Sequence, residues 1–190
     1  MKIGLFGGSF DPVHLGHLLV AQAAREELGL TRLFLIPAAQ SPFKPERQPT
    51  SARERLRLLR LALAGKDWCE IDEQEINRGG ISYTIDTVRD YRNRFPEAEL
   101  FYLVGADHVL KLPKWRDGGE LARLAEFVVI PRPGEAQTEF PPPFRGRNLV
   151  GFPLGVSSSQ IRARIKSGLA VEHLVPAGVA EAIRNNRLYL

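Results

Sequence analysis

Two histidines three residues apart, His14 and His17, stand in a glycine-rich stretch that follows a short apolar run: Gly7-Gly8-Ser9-Phe10-Asp11-Pro12-Val13-His14-Leu15-Gly16-His17. At the start of a helix this spacing turns both imidazoles to one side. Glycines at a strand end let the backbone approach a ligand, and a helix N-terminus attracts phosphate through its free N–H groups and its dipole. The chemistry these residues suggest is polyphosphate binding, with imidazoles that donate hydrogen bonds and stabilise charge developing on an attacked phosphorus. A half-built zinc site is the first competitor, but no other His or Cys has ligand spacing. A pair of satisfied surface or capping residues is the second and, for an isolated pair, the commoner case. Position favours chemistry, because both histidines fall on the strand-to-helix loop. Rival phosphate motifs are excluded: Gly4, Gly7 and Gly8 do not make Gly-x-Gly-x-x-Gly, and Gly65-Lys66 is followed by Asp67 rather than Ser or Thr.

A second anion site is suggested by Val156-Ser157-Ser158-Ser159-Gln160-Ile161-Arg162. Ser157 and Gln160 form a capping box, which by itself accounts for a helix start. Hydroxyls and amides at that start, with Arg162 one turn in, also suit a phosphate.

The elements that must position these loops follow from patterning. Lys2–Phe6 is short, apolar and without alternation, as in a strand buried on both faces. A helix carrying Leu15, Leu18, Leu19, Ala23 and Leu28 stops at Gly29, and a second buried strand runs from Arg32 to Pro37. Ser51 and Glu54 cap a helix with Leu56, Leu59 and Leu63 on one face and Arg53, Arg57 and Arg60 on a solvated one. Further strands are expected around Cys69–Asp72, Leu100–Gly105, Phe127–Pro131 and Asn148–Phe152, and helices over Thr84–Phe95, after Ser157 with a stripe of Ile161, Ile165 and Leu169, and over Ala177–Leu188. Ala38–Pro49 and Pro133–Arg147 read as loops, the latter exposed. Strand, loop, helix, strand opens a parallel α/β sheet, and the whole of residues 1–190 reads as one doubly wound domain with ligands at the C-terminal ends of its strands.

Composition narrows the classes. A hydrophobic share of 44% and a charged share of 25% are those of a globular protein, and the formal net charge of +4 is scattered along the chain. Small anions such as nucleotides suit that balance, whereas a nucleic-acid track needs a concentrated basic stripe. No apolar run reaches the roughly 18 residues that span a bilayer. Glycines, Asp11 and two histidines interrupt the first residues before a signal-like run develops, so a cytoplasmic protein without membrane association is expected. The single cysteine, Cys69, cannot form an internal disulfide and reads as a small buried hydrophobe.

The two loops resemble the (H/T)-x-G-H and Ser-Ser-Thr-x-x-Arg signatures of the nucleotidyltransferase superfamily. Nearly the whole chain is similar to its nicotinate-nucleotide adenylyltransferase family, through Ile36-Pro37-Ala38, Pro42-Phe43-Lys44-Pro45, Ser82-Tyr83-Thr84, Gly105-Ala106-Asp107, Leu112-Pro113-Lys114-Trp115 and Pro131-Arg132-Pro133-Gly134. The resemblance implies a Rossmann-like α/β domain that transfers the adenylyl group of ATP to nicotinate mononucleotide. It assigns catalysis to His14, His17 and Arg162, and ATP binding to Gly7, Gly8, Ser9, Phe10, Gly105, Asp107, Ser157 and Ser158. It gives the acceptor to Lys44, Thr84 and Trp115, with Trp115 stacking on the pyridine ring. Magnesium would arrive with ATP rather than in a dedicated metal site. Ser9 and Ser159 stand where the family usually has Thr, and Phe43 replaces the family's His. Nicotinamide mononucleotide or phosphopantetheine as acceptor, and a non-catalytic nucleotide sensor, are the competing functions. The oligomeric state is left open, a homo-oligomer included.

Overall fold

Residues 1–43, 48–134 and 137–190 are described in the structure, a computed structural model. Six parallel strands form one sheet: β1 (Lys2–Gly8), β2 (Arg32–Pro37), β3 (Cys69–Ile71), β4 (Glu99–Gly105), β5 (Glu126–Ile130) and β6 (Gly146–Asn148), in the spatial order β3-β2-β1-β4-β5-β6. The helices are α1 (Leu15–Leu28), α2 (Ala52–Leu63), α3 (Gln74–Arg78), α4 (Thr84–Arg94), α5 (Ala106–Val109), α6 (Gly118–Leu124), α7 (Ser158–Lys166) and α8 (Ala177–Asn185), with a 3-10 turn at Leu112–Lys114.

Alternate residues of the central strands feed two cores. Leu33, Leu35, Phe101, Leu103 and Val128 pack with Ala21 and Ala24 of α1, Leu58 and Leu59 of α2, Ile161 of α7 and Val179 of α8. Ile3, Leu5, Ile36, Leu100 and Val129 meet Ile85, Val88 and Tyr91 of α4 and Leu121 of α6 on the opposite face. Helices therefore cover both faces, and the central strands carry apolar side chains on both, which is why they lack alternation. Each such side chain contributes roughly 1.5–3 kcal/mol of burial. Order reverses between β1 and β4, and a crevice opens at the carboxyl ends there. Among the described residues no helix is long and apolar enough to cross a membrane.

Several expectations needed correction. The last strand is Gly146–Asn148, not Asn148–Phe152. Gly146 lies so close to β5 that an added Cβ would meet the Phe127 carbonyl oxygen at 2.3 Å, which fixes the pairing upstream of the apolar run. Beyond Leu149 the chain turns away at Gly151 (φ 49°), and the Glu27 carboxylate of α1 accepts from the backbone N–H groups of Val150 (2.9 Å) and Gly151 (2.7 Å). Phe152 is consequently half exposed. The helical stripe ends at Ile165, because α7 stops at Lys166 and Gly168 (φ 66°) turns Leu169 outward. The tail helix ends at Asn185 rather than Leu188, with Arg187 and Tyr189 in the left-handed region. The segment before β6 is not simply exposed: Phe144 is buried edge-on against Phe127, 5.3 Å between centroids. Helix α3, one short turn, had no periodic signal. Cys69 is buried, which pushes its thiol pKa up to about 12, as its packing role requires.

Candidate active site

Gly7 and Gly105 lie at the carboxyl ends of β1 and β4, and a larger residue at either would have to displace a neighbouring side chain. A Cβ on Gly7 would lie 2.5 Å from the Tyr102 hydroxyl, and one on Gly105 would lie 2.7 Å from Asp107 Oδ1. The crevice above them has two adjoining compartments of about 770 and 540 Å³, which share Gly7, Ser9, Gly105, Asp107 and Arg132.

The larger compartment is built by two helix starts. At α1 the backbone N–H of His14 donates to His17 Nδ1 (3.1 Å), so the neutral His17 ring carries its proton on Nε2. The two imidazoles stack at 3.7 Å between centroids, and the Phe10 ring meets His17 edge-on at 4.9 Å. Phe10 itself is buried and takes a left-handed backbone (φ 46°), so it supports the histidines from beneath rather than offering a polar contact. Burial lowers the His14 pKa to about 4; burial and the neighbouring His14 hold His17 well below its ordinary range.

At α7, Ser157 Oγ accepts from the Gln160 N–H (3.2 Å) and donates to its Oε1 (3.0 Å), and Ser158 Oγ donates to the Pro12 carbonyl (2.9 Å). These two hydroxyls are thus engaged in the cap and in tying α7 to the α1 loop, and what the turn presents to a ligand is its amides. The Arg162 guanidinium spans both loops, donating to the Asp11 carbonyl and to Ser159 Oγ (2.9 Å). Below them the Tyr189 phenol is buried beside Asp11 and Thr50; burial first, then the Asp11 carboxylate, pushes its pKa up.

The smaller compartment is aromatic. Thr84, at the start of α4, donates to the Tyr102 hydroxyl (3.3 Å), and the rings of Phe43, His108 and Tyr102 lie 5.4, 6.0 and 6.3 Å from Trp115. Trp115 Nε1 is buried without a hydrogen-bond partner among the described residues. Asp107 stands between the compartments, held by Arg132 Nη2 at 3.1 Å and His108 Nε2 at 3.4 Å. All the expected site residues therefore line or underlie one crevice except Lys44, which lies outside the described residues. Sequence reasoning missed Tyr102, His108 and the site role of Arg132, although Arg132 sits in a Pro-Arg-Pro-Gly segment whose composition marks a surface loop. It also missed Arg55, whose place on the buried stripe of Leu58, Leu59 and Ala62 was visible in the spacing.

The His14 shift makes stability depend on pH. Folded His14 stays neutral down to about pH 4, whereas the unfolded chain takes up a proton below about 6.5. The unfolded state binds more protons between those values, so stability falls as pH falls through that window. At pH 5 this amounts to a loss of about 2 kcal/mol relative to pH 7. Urea unfolding at the two pH values measures it, and His14→Asn is expected to remove a loss of this size. An unchanged pH dependence in that variant counts against the assignment.

Among known proteins, the cytidylyltransferase-like family model matches residues 5–164. A protein of Opitutus terrae named "Probable nicotinate-nucleotide adenylyltransferase" is 42% identical, the match covering 100% of this chain and 98% of the relative; one of the same name from Gemmatimonas aurantiaca is also 42% identical over 100% and 92%. Nicotinic acid mononucleotide adenylyltransferase of Plasmodium falciparum, solved in complex with NaAD, superposes with a TM-score of 0.82 at 17% identity, covering 99% of this chain and 97% of its own; that likeness bears on the fold.

Proposed function

The chain belongs to the cytidylyltransferase-like family and, within it, to the nicotinate-nucleotide adenylyltransferases, and from that membership we propose how its divided crevice moves the adenylyl group of ATP onto nicotinate mononucleotide, giving deamido-NAD and pyrophosphate in NAD biosynthesis. One observation carries the assignment of residues: two helix N-termini and Arg162 converge on the larger compartment, and an aromatic compartment adjoins it across Gly105.

The triphosphate lies in the larger compartment against the amides of Gly7–Phe10 and of Ser157 and Ser158, with His14, His17 and Arg162 on its phosphates. Asp107 accepts from the adenosine ribose beside Gly105. The pyridine nucleotide enters the smaller compartment, its ring on Trp115 and its ring substituent near Thr84. A phosphate oxygen of the acceptor attacks the α-phosphorus in line with the departing pyrophosphate, forming one P–O bond as the other breaks. That oxyanion is already a nucleophile, so the protein supplies position and charge stabilisation rather than a base. Around the phosphates the protein offers imidazole N–H, guanidinium and helix amides, and among the described residues no cluster of three His, Cys, Asp or Glu forms a metal cage. Such donors fit phosphates that bring their own divalent cation, and magnesium carried with ATP supplies neutralisation of phosphate charge. The compartment this reading assigns is the cytoplasm.

Mixing the protein with Mg-ATP and, separately, nicotinate mononucleotide, nicotinamide mononucleotide and phosphopantetheine tests the proposal through pyrophosphate release and product identity. Turnover with the nicotinate nucleotide is expected; preference for another acceptor would overturn the choice of substrate, and ATP binding without turnover would favour a sensor. In the same assay Trp115→Ala should raise the acceptor KM about tenfold, the usual worth of one stacked base, without altering the KM for ATP. Equal effects on both substrates would remove Trp115 from the acceptor site.

A further inference from the structure

Arg55, on α2, is the largest fully buried side chain among the described residues, only 1% exposed, and it touches neither compartment directly. Its Nε donates to the Thr50 carbonyl (2.9 Å), and its Nη1 donates to the carbonyls of both Ser9 and Ala38 at 2.8 Å. These acceptors belong to two connections: Ser9 follows β1, and Ala38 and Thr50 stand near the two ends of the segment between β2 and α2. Ser9 lines both compartments, Ala38 lines the smaller one, and Thr50 precedes the Ser51 cap of α2 while its N–H reaches Asp11 Oδ2 at 3.4 Å.

We propose that Arg55 is a positioning residue for adenylyl transfer, a buried strut that fixes the nucleotide loop at Ser9 relative to the acceptor wall at Ala38; it rests on the function proposed above. The Ser9 carbonyl belongs to the peptide that enters Phe10, whose left-handed backbone a non-glycine residue adopts only when its surroundings impose it. Phe10 in turn carries His17 against its ring. On the other side, Ala38 donates to the Gly8 carbonyl (2.9 Å) and Ala39 to Ser82 Oγ (3.0 Å), so the acceptor wall is fastened to the same strand end and to the segment leading into Thr84. Withdrawing the guanidinium frees the two walls to shift relative to each other while each keeps its own binding groups. The order of substrates in the cleft is then intact, but attacking oxygen and α-phosphorus lose their alignment.

Lysine retains the charge but cannot reach three carbonyls in two directions from one nitrogen. In Arg55→Lys, kcat should therefore fall about 30-fold or more with both KM values within about threefold of wild type, because a displacement near 1 Å can cost about two orders of magnitude in rate. A second readout is independent of turnover: the side-chain ¹⁵N resonances of His17, one of four histidines, should show a single neutral Nε2–H tautomer in the wild type and tautomer averaging in the variant. Arg55→Met, which leaves no buried charge, is measured alongside in case the lysine variant does not fold. Both readouts changed in a cooperatively folded variant support the strut. A kcat within about threefold of wild type, a loss carried by one KM alone, or unchanged His17 resonances would overturn it. So would failure of both variants to fold, which makes the role purely structural. If the wild type transfers no adenylyl group, the function proposed above fails instead, and the resonance comparison alone decides for Arg55.

Discussion

His17→Ala is expected to lower kcat about 100-fold or more, the usual cost of removing one donor that acts on transition-state charge. The geometry specifies what is lost. The His14 N–H fixes Nδ1 as an acceptor, so the neutral ring offers Nε2–H as a donor, and burial with the adjacent His14 keeps it neutral at pH 7. In the neutral ring one nitrogen can accept from the His14 N–H while the other donates, a division that protonation would abolish. The alanine variant also loses the acceptor that caps α1, a cost of about 1 kcal/mol that a modest fall in melting temperature should report. His17→Asn separates the two effects, because a carboxamide oxygen can still accept from the His14 N–H while the donor is displaced. It should regain stability but not turnover. A folded His17→Ala protein that loses less than about threefold in kcat would take His17 out of the mechanism.

Arg162→Ala should be the more damaging substitution for ATP use, lowering kcat/KM for ATP by roughly 100- to 1000-fold, since the cation proposed to face the phosphates and the bridge between the α1 loop and the α7 cap disappear together. The fork donates to the Asp11 carbonyl and to Ser159 Oγ, so Arg162 also joins the α1 loop to the α7 cap. Arg162→Lys keeps the charge without the planar fork and is expected to fall between wild type and alanine. Steady-state kinetics with ATP varied at saturating acceptor distinguishes these cases. Equal activity of the lysine and wild-type proteins would show that the bridge between loops contributes nothing.

The parts of the fold legible beforehand were those whose residues answer to one local requirement. Strands β1, β2 and β4 are buried on both faces and read as unbroken apolar runs. The Gly29 stop and the caps at Ser51 and Ser157 follow from backbone geometry confined to a single turn. Strand β6 was misplaced because an edge strand of Gly146-Arg147-Asn148 has no apolar pattern, its pairing being set by closeness to β5. Within the site, glycines and histidines on the first loop announced themselves by type. Tyr102 and His108 did not, because their place beside Trp115 depends on how β4 and α5 meet across the sheet end. Arg55 is a different case: its helix also bears Arg53, Arg57 and Arg60, all solvated, and only its spacing to Leu58, Leu59 and Ala62 sets it on the buried face.

Tyr189 lies beside Asp11, so residues far apart in sequence meet under one turn. The loop between β1 and α1 therefore keeps its floor only while the segment that follows α8 stays docked beneath it. Local opening that lifts this segment would loosen that loop while the sheet stays whole, and amide exchange at the two places should rise together.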